Sequence, residues 1–70
     1  MERELVTKVY GRGVDDDAAI ILVYRFGESV SLVATAEKSG DAEVILDKSA
    51  VAALAEALRN VSLGLETTMA

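Results

Sequence analysis

The chain contains no cysteine, no histidine, no proline and no tryptophan, and its aromatic residues are two tyrosines and one phenylalanine. Each absence removes a class of explanation. Without cysteine there are no disulfides and no thiolate metal sites. Without histidine, the commonest metal ligand and the commonest general base at neutral pH are both missing. Long hydrophobic runs are missing too. The longest wholly apolar stretch, Ala18-Ala19-Ile20-Ile21-Leu22-Val23-Tyr24, falls far short of the roughly 20 residues that cross a bilayer. Met1-Glu2-Arg3-Glu4 is charged and does not open a secretory signal. The expectation is a soluble, cytoplasmic protein with no membrane partner.

Positive charge is also scarce. Seven Lys and Arg stand against twelve Asp and Glu, for a net charge of −5, and the basic residues are scattered. Non-specific nucleic-acid binding needs a basic footprint that displaces counterions from phosphates, so this charge works against it. It suits a basic protein surface better.

What remains is a small, apolar-rich chain. Seventy residues make one domain. A domain of this size buries only about 60 % of its unfolded surface and needs a disulfide, a metal or oligomerisation to be secure. Oligomerisation is the one of these that the composition leaves open.

Glu4 to Tyr10 is rich in β-branched and aromatic residues and reads as a first strand. Gly11-Arg12-Gly13-Val14-Asp15-Asp16-Asp17 breaks it. Ala18 to Phe26 reads as a second strand. Gly27-Glu28 suits a two-residue type II′ turn, with glycine taking the positive φ at the first central position. Val30 to Glu37 reads as a third strand, Ser39-Gly40-Asp41 as a turn, and Ala42 to Leu46 as a short fourth strand.

A helix follows from Asp47, whose carboxylate can cap the first turn. Val51, Leu54, Ala55, Leu58 and Val61 recur at helical spacing and form one apolar stripe. Ala50, Ala53 and Ala57 form a neighbouring stripe of small residues that would let another backbone come close. The spacing predicts a helix ending between Asn60 and Gly64. The expected organisation is one α+β domain over 1–64 and a flexible tail over 65–70. Its expected fold class is α+β, a four-stranded antiparallel meander followed by one C-terminal helix packed on one face (β-β-β-β-α), and the expected assembly is a homodimer.

A two-residue turn at Gly27-Glu28 sets Phe26 opposite Ser29. Ala19, Ile21 and Val23 then lie opposite Ala36, Ala34 and Leu32 on a face suited to the helix stripe. Ile20, Leu22 and Tyr24 lie opposite Thr35, Val33 and Ser31 on the other. A three-residue loop would exchange the faces. Either register leaves apolar surface uncovered. The expected dimer anchors are Ile20, Leu22, Tyr24 and Val33, assisted by Ala53 and Ala57.

The residues that carry chemistry elsewhere are weak candidates here. Asp15-Asp16-Asp17 could offer oxygen ligands to a hard cation. It lacks the alternating spacing and distal glutamate of a calcium loop, so a solvated loop is the simpler reading. Gly11-Arg12-Gly13 lacks the third glycine and following helix of a dinucleotide loop. Arg12 is placed to pair with the aspartates beside it. Ser49 has Lys48 as its nearest potential base, but adjacent helical residues do not face each other. No catalytic, cofactor-binding or metal-binding residue is assigned, and no enzyme is expected.

Tyr10, Tyr24 and Phe26 could stack on nucleic-acid bases if they share strand faces. In element order and chain length the sequence resembles the single-stranded-DNA-binding coactivator fold, four strands and a helix, which forms dimers. The resemblance reaches no motif. The reading that follows is a non-catalytic protein–protein interaction module acting as a homodimer. The alternatives are an acidic inhibitor that mimics nucleic acid on a basic protein, as small phage-encoded inhibitors do, a single-stranded nucleic-acid binder, and a carrier of small apolar ligands between sheet and helix.

Overall fold

A computed structural model describes residues 2–69, with the side chains of 67–69 excepted. Four strands, β1 (Glu4–Arg12), β2 (Ala18–Phe26), β3 (Ser29–Ala36) and β4 (Gly40–Leu46), precede one helix, α1 (Lys48–Met69). The strands form a single antiparallel sheet in the order β1-β2-β3-β4. The fold is therefore the expected α+β meander with a C-terminal helix.

The two-residue hairpin is present. Phe26 pairs with Ser29, and Ile21 and Val23 pair with Ala34 and Leu32. Gly27 has φ 60° and no positive φ follows at Glu28, the signature of a type II′ turn. The second hairpin turns at residues 37–39, and Gly40, paired with Ala36, takes φ 90°. That conformation carries little penalty only for glycine. In β1 the register shifts between Leu5 and Thr7, so Val6 is an extra residue on that edge.

The helix begins one residue after β4. Asp47 caps it, with Oδ1 accepting from the Ala50 amide at 2.9 Å and from the Ser49 hydroxyl at 3.0 Å. The helix does not stop before Gly64 as its spacing suggests. It continues to Met69, and the stretch expected to be a loose tail is helical up to that residue, Ala70 lying outside the described residues. Leu65 follows Val61 by four residues and extends the apolar stripe. No proline interrupts it, and a single glycine costs only about 1 kcal/mol against alanine.

The helix meets the sheet near its start, chiefly β3 and β4. Ala50 and Val51 are half-buried, and every residue from Ala52 to Glu66 is exposed. The expected cover of one sheet face by the chain's own helix is thus confined to the first turn. With Asp47 alone between β4 and α1, the helix leaves the strand end directly and meets the sheet through its first turn. Cα extents of 45 × 30 × 15 Å and a radius of gyration of 13.9 Å follow. A compact chain of this length has a radius of about 11 Å.

Candidate functional site: the uncovered sheet face and the helix stripe

Side chains alternate across the sheet, and the register makes the two faces chemically distinct. The first face is almost wholly aliphatic. Its rows are Thr7 and Val9 on β1, Ala19, Ile21 and Val23 on β2, Val30, Leu32, Ala34 and Ala36 on β3, and Ala42, Val44 and Leu46 on β4. At its hairpin end, Arg25 pairs with Glu4 at 2.5 Å. Near the middle it is open: Ile21, Val9 and Val44 retain 42, 52 and 52 % exposure, and Ala34 and Ala42 are exposed. Ala19, Ile21, Ala34, Ala36, Gly40 and Ala42 help line a depression of about 320 Å³. These short side chains would let a second element approach closely.

The second face carries Ile20, Leu22, Tyr24 and Val33 together, as the register requires, and each is half-buried. It is closed partly from within the chain. Arg3 lies over the Tyr24 ring, its guanidinium carbon 4.3 Å from the centroid. It then reaches Glu43 at 2.9 Å, and the Ser31 hydroxyl donates to the same carboxylate oxygen at 2.5 Å. Ser31 is consequently fully buried. The Ser31 hydroxyl holds the Glu43 carboxyl below its ordinary range, with Arg3 adding to the effect and desolvation opposing it. Farther along, the Thr35 hydroxyl donates to Asp41. This face is also electrically mixed: Lys8 and Arg12 stand on β1, while Asp41 and Glu43 stand on β4.

The helix stripe is as open as the first sheet face. Leu58, Val61 and Leu65 retain 59, 60 and 58 % exposure. Ala53 and Ala57 are exposed beside it. Among the described residues no hydrophobic side chain is buried. Alternation and helical spacing identify the apolar positions, but neither says which of them the chain's own helix covers.

The acidic loop divides. Asp15 and Asp16 are exposed, and Arg12 pairs with Asp16 at 3.3 Å, as expected for a neighbouring charge. Asp17 is 5 % exposed, in contrast to the solvated reading of the trio. Its Oδ2 accepts from the Lys38 amide at 2.6 Å, tying the β1–β2 loop to the β3–β4 turn. That bond chiefly holds its carboxyl below the ordinary range. Gly13 closes the loop by donating to the Asp17 carbonyl at 2.8 Å, and a Cβ on Gly13 would lie 2.1 Å from Asp17 Oδ1. Asp17 is a structural clamp, and three consecutive aspartates gave no sign that the last would point inward.

Ser49 belongs to the Asp47 cap. Among the described residues no cluster of three or more potential ligating side chains could hold a metal ion, and no helix is long and apolar enough to cross a membrane. No protein-family model matches the chain, and comparisons with curated proteins and with solved structures find no match. The uncovered apolar surface is therefore the candidate site.

Proposed function

We propose that this chain is a non-catalytic protein–protein interaction module that works as a homodimer. One observation carries the reading: its accessible surface is 5605 Å², with no buried hydrophobic side chain among the described residues. A compact monomer of 7.4 kDa exposes about 4,200 Å². The excess of about 1,400 Å² exceeds the ~800 Å² that each partner commonly contributes to a stable interface. The aliphatic sheet face is the better anchor, because Arg3, Ser31 and Glu43 already cover part of the face bearing Ile20, Leu22, Tyr24 and Val33.

The assembled form would present its acidic loops outward. Asp15, Asp16, Glu37 and Asp41 are exposed at the sheet end opposite the Gly27 turn, which favours a basic protein as the next partner. Carboxylates on β4, at the opposite edge of the same face from the basic residues of β1, disfavour a nucleic-acid backbone across that face. Light scattering over a hundredfold dilution tests the assembly. A mass twice that of the chain throughout supports the dimer, and a folded monomer of chain mass overturns it.

A further inference from the structure

We infer that the dimer forms by reciprocal exchange of helices: the stripe of Leu54, Leu58, Val61 and Leu65 of each chain lies across the Val9–Ile21–Ala34–Val44 face of a second copy. The inference rests on the dimer reading and names the elements that meet. Two complementary apolar surfaces are present in one chain, and both are open. What separates them is the tether. Asp47 is the only residue between β4 and α1, and its side chain is committed to the cap that fixes the helix's first turn. From this link the helix touches the sheet only through its first turn, and its stripe does not lie on its own sheet. A second copy removes that restriction, because its helix arrives untethered to the face it covers.

Dimensions agree. A helix of 22 residues is about 33 Å long, whereas four strands make a sheet about 14 Å wide and 30 Å along the strands. One helix therefore spans the open face in either direction. Its small-residue end, where Ala19, Ala34, Ala36 and Ala42 leave the depression of about 320 Å³, admits bulky side chains from the stripe. Lys48, Glu56 and Arg59 are the charged residues of the first three helical turns and lie away from the stripe, so docking leaves them solvated. The arrangement is isologous: each chain gives one helix and receives one, and the assembly closes at two.

The test uses two full-length variants, Ile21→Lys on the face and Leu58→Glu on the stripe. In exchange, each alone places an unpaired charge in both interfaces, and the dimer should weaken on the order of 10–100-fold or fail to fold. Co-refolding the two together should restore both the dimer mass and the far-UV circular dichroism of the parent. The mixed dimer has one unaltered helix–face pair and one in which lysine meets glutamate. Disruption by Leu58→Glu alone would mean helix-to-helix pairing, and disruption by Ile21→Lys alone would mean sheet faces meeting directly. Either result overturns exchange while leaving the dimer. Loss in both variants without rescue on mixing overturns it as well. A monomeric parent chain would overturn the dimer itself.

Discussion

The two faces of one sheet share strands, hydrogen bonds and a register, yet they are treated differently. On the face bearing Tyr24, Arg3 crosses the ring to Glu43 and seals Ser31 beneath it. On the opposite face nothing comparable reaches over Ile21 or Ala34, and both remain exposed. The difference is one of reach. A long arginine near the start of β1 folds across neighbouring strands, whereas on the aliphatic face Arg25 is held by Glu4 at the hairpin end and the helix touches the sheet only through its first turn. Long charged side chains cover part of a mixed face, although Tyr10 and Ile45 stay exposed on it, whereas an aliphatic face is covered only by another element.

The sharpest way to break this comparison is at Ile21. If a second element covers it, Ile21→Ala costs about 2–4 kcal/mol in denaturant unfolding, as for a buried large-to-small change. A cost within about 0.5 kcal/mol would mean the position stays exposed and the faces do not differ as argued.

Next in size is Gly13→Ala. The added Cβ meets Asp17 Oδ1 and must open the clamp holding the loop end that both faces share. A loss of about 1–3 kcal/mol is expected. Gly13 lines the same depression as Ala36, so a dimer that dissociates at higher concentration is expected alongside the lower midpoint. An unchanged unfolding midpoint would show that the loop yields freely.

Acid acts on three carboxylates, of which Glu43 lies on the Tyr24 face. Asp17, Glu43 and Asp47 all have carboxyls held below their ordinary values, by the Lys38 amide, the Ser31 hydroxyl and the Ala50 amide respectively. Groups with lowered folded-state pKa contribute stability that is present above their unfolded values near 4 and is lost as pH falls through the lower folded ones. Urea midpoints should therefore be flat from pH 7 to about 5 and decline below about 4. In Glu43→Gln the decline should be shallower, and an unaltered slope would remove Glu43 from the account.

The smallest effect is expected from Arg3→Ala. Its ion pair with Glu43 is roughly half exposed on both sides, and such pairs contribute little. The unfolding midpoint should fall slightly, while the mass stays that of the parent. Loss of the dimer in this variant would move the interface to the Tyr24 face and reverse the comparison.

Much of this was legible in the residues. Ala18 to Phe26 is the strand that its composition suggests, and Gly27-Glu28 makes the two-residue turn, one of the two registers left open by the residues. Asp47 caps the helix where its position before Ala50 implies. Gly64 was misleading, because a glycine inside good helix formers weakens a helix without ending it. Asp17 was hidden within a run of like residues. Its role depends on a backbone amide 21 residues away, which no local pattern reports.

The sequence by itself determined the order of the elements, two alternative hairpin registers, and the presence of an aliphatic sheet face and an aliphatic helix stripe. These follow from alternation, turn chemistry and helical spacing, all local properties of the chain. Only the tertiary structure decided that the matching surfaces do not meet within one molecule. A single capped residue joins β4 to α1, and the direction in which it sends the helix is a three-dimensional fact that spacing along the chain does not encode.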